Sequence, residues 1–258
     1  MKKIFLPLIV LLAIALSACN LTVLSGSGKI VSSNRPVSGF TRLVFDVPGD
    51  LTLTQGDKES LSIEGDDNLL EHIKSEVNDG ELHIYLALED GMIEPSKTIR
   101  YSLSVKNLEQ ITLNGSGKIM AASFTSGQFA VNMNGSGEIA FGSLKATNLS
   151  LGMNGSGNVS ITNLSADDVQ ATVNGSGEYL LQGKATRQHI NILGSGEYNA
   201  RSLQSTQADI SVSGSGEGQV WATEKVNIAI LGSGEVGYVG KPTITQQISG
   251  SGSIHMLE

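Results

Sequence analysis

The chain has 258 residues and a formal net charge of −8, with no basic run beyond Lys2-Lys3. That balance excludes nucleic acid or an anionic lipid surface as a direct partner of its body. Its 31 glycines against 5 prolines fit a turn-rich β protein and exclude a collagen or a disordered chain, and its single cysteine excludes an internal disulfide.

Residues 1–18 read as a signal peptide. Lys2 and Lys3 form its basic start, and residues 4–16 are an apolar run too short and wrongly flanked to span a bilayer. Leu16-Ser17-Ala18-Cys19 resembles the bacterial lipobox, in which cleavage leaves a diacylated amino-terminal cysteine. An ordinary cleavable signal with a chance cysteine is the alternative. Each buried lipid CH₂ contributes about 0.8 kcal/mol, so several acyl chains on Cys19 would hold the mature protein firmly to a membrane. Asn20 follows instead of Asp, and the lipoprotein resemblance then implies the outer membrane where the host has one.

Residues 19–33 are the lipidated cysteine and a polar tether, although Gly26-Ser27-Gly28-Lys29-Ile30 copies a later motif and predicts an outlying strand. Residues 34–110 read as an irregular β-rich part. Leu43 and Phe45, Leu51 and Leu53, and Leu61 and Ile63 alternate, with turn signals at Pro48-Gly49-Asp50 and Gln55-Gly56-Asp57. Residues 66–77 predict one short helix, with Leu69, Leu70 and Ile73 on one face and Asp66 or Asp67 as its cap. Asn78-Asp79-Gly80 turns into a strand through Leu82, Ile84 and Leu86. Residues 89–97 read as a loop, and Ile99, Tyr101, Leu103 and Val105 alternate once more.

From residue 111 to 258 a Gly-Ser-Gly motif recurs, starting at Gly115, Gly135, Gly155, Gly175, Gly194, Gly214, Gly232 and Gly250, in steps of 20, 20, 20, 19, 20, 18 and 18. Two places before each motif stands an apolar residue, from Leu113 and Met133 to Ile248, and two places earlier another, broken only by Gln246. The second residue after the motif is mostly apolar (Ile119, Ile139, Val159, Tyr179, Tyr198, Gly218, Val236, Ile254), and Phe124, Leu144, Leu164 and Leu203 add a third anchor. Each repeat therefore predicts two short strands bent at the glycines. Glycine suits that corner because it accepts positive φ and close approach from neighbours above and below.

A unit this short cannot bury its apolar face alone. Stacked in parallel, the columns become internal, which predicts an all-β chain forming a right-handed parallel β-helix with ~20-residue coils. Seven steps at the usual strand spacing give a stack roughly 35 Å tall. A leucine-rich repeat lacks its asparagine motif, a calcium-binding nonapeptide repeat lacks its period, and a membrane β-barrel lacks its aromatic girdles.

Arg35-Pro36-Val37-Ser38-Gly39-Phe40, Gln55-Gly56-Asp57, Asp67-Asn68-Leu69-Leu70, Asp79-Gly80-Glu81-Leu82 and the repeated Gly-Ser-Gly together resemble the head GIN domain family. The resemblance covers nearly the whole mature chain. It implies a β-helical, adhesin-like envelope protein and brings no catalytic residues with it. The chain shows no auto-transporter barrel pattern, and a lipid anchor stands in its place.

Two columns of side chains merit attention. Asn114, Asn134, Asn154 and Asn174 precede the glycines, and stacked asparagines can bond amide to amide. Glu138, Glu178, Glu197, Glu217 and Glu235 follow them, the last four in consecutive coils. Like charges one strand apart are unfavourable unless they splay into water or share a cation such as calcium; the solvated row is the reading adopted. His72, His83, His189 and His255 are scattered without zinc spacing, and no Ser-His-Asp set can be assembled.

The residues thus point to a non-enzymatic envelope module, adhesin-like or structural, with no cofactor and no metal. It would bind glycan or an envelope protein by avidity along the stack. A carbohydrate-active β-helix enzyme and an envelope sensor are the alternatives; the lyases and hydrolases cluster Asp, Arg or Lys on one face of longer coils, whereas Lys118, Lys145, Lys184, Arg187, Arg201, Lys225 and Lys241 form no regular column. Solenoid ends need capping, so the last coil should meet a second subunit or be covered by residues 241–258.

Overall fold

The computed structural model describes residues 22–88 and 91–257, so the signal peptide and Cys19 lie outside the described residues. The fold is an all-β solenoid with one very short helix. β1 (Thr22–Ser25) and β2 (Ile30–Arg35) flank the first Gly-Ser-Gly, and the outlying strand expected there is present. β3 (Arg42–Asp46), β4 (Asp50–Gln55) and β5 (Ser60–Asp66) follow the alternating apolar pairs.

The helix α1 is confined to Asp67–Leu70, shorter than residues 66–77. Ile73 belongs instead to β6 (Ile73–Asn78), which pairs antiparallel with β7 (Glu81–Leu86). Leu69, Leu70 and Ile73 are all buried, so the apolar spacing was read correctly; the open edge of β7 claims the last turn of the expected helix. Asp79 and Gly80, at φ 48° and 74°, make the tight turn between these strands.

Asp66 stands at the N-cap position but makes no capping bond. Its carboxylate accepts from the Ser96 hydroxyl (2.6 Å), the Gly28 amide (2.7 Å) and the Ser96 amide (2.9 Å), and the Ser96 hydroxyl foremost holds the carboxyl below its ordinary range. The first Gly-Ser-Gly is thus a cradle for an acid and not a stacked corner. The expected loop at residues 89–97 contains β8 (Gly91–Glu94), which pairs in parallel with β1. β9 is Arg100–Val105.

The amino-terminal strands already follow the solenoid plan. β3 and β4 form one lap, on which β10 (Gln110–Gly115) and the start of β11 (Lys118–Gly135) stack in parallel, with Phe45 beside Leu113 and Leu51 beside Ile119. On their other side β7 and β9 stack in parallel, Ile84 beside Phe45 and Leu103 beside Leu53. β6 and β5 then cover β7 and β9 with antiparallel pairs, and β2 covers β5. This end of the stack is closed by strands running against the winding.

The succeeding laps are β11, β12 (Glu138–Met153), β13 (Asn158–Val173), β14 (Glu178–Gly194), β15 (Glu197–Gly214) and β16 (Glu217–Gly232). Each lap is one ladder of 16–18 residues interrupted at the corner, not two separate short strands. Neighbouring laps run parallel, and equivalent apolar residues pair, as in Val131↔Leu151↔Ala171↔Ile190↔Ile210↔Ile228. These columns are buried, together with Phe124, Leu144, Leu164 and Leu203.

The 19-residue step has a local cause: Ile161 pairs with Leu181, but Leu164 pairs with Gly183. Gly183 takes the anchor position with φ 129°, and a Cβ there would lie 2.2 Å from the Leu164 carbonyl oxygen. In this part of the lumen Tyr179 meets Tyr198 edge to face at 6.2 Å.

The final lap is made by β17 (Glu235–Val239) with β18 (Thr243–Gly250) and β19 (Ser253–Met256). β18 stacks on β16 and β19 on β17. Residues 241–257 therefore continue the winding and do not fold over it as a lid. Among the described residues no strand pairs with the outer edge of β18, and Ile248 and Met256 are exposed. No helix among the described residues is long and apolar enough to cross a membrane.

Candidate functional site: polar rows and an external groove

All eight corner glycines stack as expected; from Gly135 onward the reason is close approach, whereas a Cβ on Gly115 would meet no neighbour and Gly115 takes φ 92°. A Cβ on Gly135 would lie 2.2 Å from the Gly115 carbonyl oxygen, and one on Gly137 would lie 2.4 Å from that of Gly117. The ladder continues through the corner: the Ser136 amide donates to Gly115 at 2.9 Å and the Glu138 amide to Gly117 at 3.1 Å. The corner serines stay outside, and the hydroxyls of Ser233 and Ser251 are 3.1 Å apart.

Before the corner the asparagine row forms as read. Asn134 donates to Asn114 at 2.9 Å, Asn154 to Asn134 at 2.9 Å, and Asn174 to Asn154 at 2.8 Å. The row begins one lap earlier than sequence reading placed it. Asn114 donates to Asp46, whose other oxygen lies 2.6 Å from His83 Nε2. The signal was present: Leu43, Phe45 and Asp46 match Ile111, Leu113 and Asn114 position for position. At position 193 the row meets Leu193, which is 44% exposed.

After the corner, Glu178, Glu197, Glu217 and Glu235 are in strict register. Burial first, and then the carboxylates of Glu178 and Glu217, push the Glu197 carboxyl up. Asn199 donates to Glu197 at 3.4 Å and Gln219 to Glu217 at 2.6 Å. These amides damp the repulsion at the cost of their own carbonyl oxygens, which are buried without a partner. His255 lies 3.0 Å from Glu235, and Lys118 lies 2.9 Å from Glu138. Among the described residues no group of three His, Cys, Asp or Glu side chains is placed to hold a metal ion.

The histidines do have partners, which spacing alone did not show. His72 lies 3.6 Å from Glu71, His83 2.6 Å from Asp46, His189 3.2 Å from Asp209 and His255 3.0 Å from Glu235. Each faces a carboxylate of its own, and the four are not brought together.

The feature missed entirely is a groove of about 1100 Å³ along the outside of the early laps. Its floor is Ser126, Ala146 and Ala166, which pair in register. One wall carries Thr125, Lys145 and Ser165, and the other Gln128, Asn148 and Asp168. Arg187 donates to both oxygens of Asp168 at 2.6 Å, beside the last lap of the groove, and holds that carboxyl below its ordinary range. A second hollow of about 580 Å³ shares Gln170 with the first and extends over His189, Asp209 and Asn227. A column of small residues at the lap period was the available sign.

Solved structures share this architecture. One from Parabacteroides distasonis, described as a putative lipid binding protein, is 29% identical, with 92% of this chain and 100% of that one aligned at a TM-score of 0.87. A second from the same species, described as a putative adhesin, is 23% identical over 91% of this chain and 100% of its own, with a TM-score of 0.86. A third from Parabacteroides merdae, also described as a putative adhesin, is 21% identical over 92% and 100%, with a TM-score of 0.86. The last two show the fold alone. No curated protein matches the chain. A family model matches residues 39–161 and again residues 142–242, spanning the lap of β3 and β4 and the Gly-Ser-Gly laps together. The chain belongs to the family described as "Putative auto-transporter adhesin, head GIN domain".

Proposed function

We propose that the protein is a non-enzymatic, adhesin-like binding module of the bacterial cell envelope, held to the outer membrane by lipid on Cys19. The carrying observation is a scaffold whose interior columns are packed with buried side chains and whose polar rows and hollows lie on the outside. Such a body offers repeated contacts to a surface, and avidity along the stack supplies strength that one contact lacks. Family membership and the adhesin descriptions of its structural relatives support this reading. The relative described as lipid binding bears on it differently: the packed lumen favours an external site over an interior acyl pocket.

The test has two arms. Fatty-acid labelling, membrane fractionation and surface proteolysis are compared between wild type and Cys19→Ala. Label and membrane association are expected only in wild type. The unlipidated body is then applied to envelope fractions and to acidic polysaccharides. Retention on envelope without polysaccharide cleavage is the expected result. Cleavage that is lost on Glu178→Gln or Glu197→Gln would replace the binding reading with an enzymatic one.

A further inference from the structure

We infer that the groove floored by Ser126, Ala146 and Ala166 binds one extended strand of an uncharged polysaccharide. This rests on the binding-module reading and names the ligand class and its place.

Three observations select that class. First, the groove backbone is already committed: β11, β12 and β13 pair lap to lap through this region. An extended peptide therefore finds no free backbone edge here to join as a strand. Second, the floor is small and the walls are hydroxyl and amide. Ala146 and Ala166 are small and buried, so they add no bulk between the walls. Gln128 and Asn148 stand exposed on one wall with Thr125 and Ser165 opposite. Such donors and acceptors suit vicinal hydroxyls better than aliphatic side chains. Third, the charge is wrong for a polyanion. Lys145 is the one cationic residue lining the groove, against Glu109, Asp167 and Asp168.

The spacing agrees. Successive laps lie about 4.8 Å apart, close to the advance of one pyranose ring along an extended chain. Each lap can then present the same pair of walls to successive sugars. The groove runs from Thr41 through Glu109 to Asp168, five stacked rows or about 19 Å, room for a short run of rings.

The experiment uses the unlipidated full body and isothermal titration calorimetry with cello-, chito-, manno- and xylo-oligosaccharides. Alginate and pectate oligosaccharides serve as acidic probes. The variants are Asn148→Ala, Thr147→Trp, and the control Asn163→Ala, an exposed residue of the same lap stack outside the groove lining. Wild type should bind at least one uncharged series. Asn148→Ala and Thr147→Trp should each weaken it by roughly tenfold or more, with thermal midpoints and binding by Asn163→Ala unchanged. Equal binding by the groove variants overturns the groove as the site, and binding confined to the acidic probes overturns the ligand class. Binding to envelope fractions with no oligosaccharide bound overturns the inference but leaves the binding module standing; no binding to either removes both.

Discussion

The Tyr198 hydroxyl donates to Gln188 Oε1 at 2.9 Å inside the lumen, where every other residue of that column is apolar. Gln188 in turn donates to the Ser205 hydroxyl at 2.9 Å, and Ser205 donates to the Trp221 carbonyl at 2.8 Å. Both Gln188 and Ser205 are buried, so the chain of bonds is what makes a glutamine tolerable there. Tyr198→Phe removes one donor and leaves Gln188 Oε1 unpaired. It should cost about 1–3 kcal/mol in urea denaturation. Adding Gln188→Leu should cost less than the sum of the two single changes, which a double-mutant cycle will read.

Tyr198 and two other buried tyrosines predict alkaline behaviour. Burial pushes the phenols of Tyr101, Tyr179 and Tyr198 far above their ordinary value of 10.0. Above that pH the unfolded chain loses these protons while the folded chain keeps them, so stability falls as pH rises. The slope should approach about 1.4 kcal/mol per pH unit for each such phenol. Tyrosinate absorbance of these residues should appear together with unfolding, not before it.

Two glycines ten residues or less apart should respond oppositely to alanine. Gly135→Ala places a Cβ against the Gly115 backbone and should destabilise by about 1–3 kcal/mol or more. Gly127→Ala meets nothing within 4 Å and has no left-handed φ. It should be neutral or gain up to about 1 kcal/mol through the unfolded chain. Thermal midpoints of the pair decide whether close stacking is the reason for the corner glycines.

The asparagine row can be lengthened. Leu193→Asn puts a donor beside the free carbonyl of Asn174 and removes an exposed leucine. A gain of about 0.5–1 kcal/mol is expected, and Asn134→Ala should lose a similar amount by interrupting the row. A Leu193→Asn protein no more stable than Leu193→Ser would show that the amides contribute nothing beyond solubility.

Glu197 carries the acid-side prediction. Its carboxyl is raised, so between the ordinary value of 4.5 and its folded value the native state holds the extra proton. Stability therefore rises as pH falls through that window. Glu197→Gln should be more stable than wild type at neutral pH by a few tenths of a kcal/mol, and the difference should shrink towards pH 4.5. Asp66, Asp67 and Asp168, whose carboxyls are lowered, act in the opposite sense and withdraw stability below 3.8.

The repeating laps were legible because their partners sit a fixed number of residues apart, as Ile119, Ile139 and Val159 do. The amino-terminal laps were not. Phe45 stacks on Leu113 across an excursion through β5, β6 and β7, and an interrupted period leaves no periodic signal. The helix was drawn too long because Leu69, Leu70 and Ile73 satisfy helical spacing, while the strand partner of Ile73 is Leu86, a tertiary contact. The groove was overlooked because its only sign is the small-residue column Ser126, Ala146 and Ala166, which carries no chemistry of its own until the laps are laid side by side. Asp46 was missed for a related reason: its role shows only when its lap is laid under Asn114.

That carboxylate has a long reach. Asp46 can only accept, so Asn114 must turn its NH₂ downward, which points its oxygen up at Asn134, and so on to Asn174. One acid at the foot of the row therefore sets the compass bearing of four amides, and none can reverse alone without breaking contact on both sides. Asp46→Asn would erase the preference and leave the whole file free to flip as a unit.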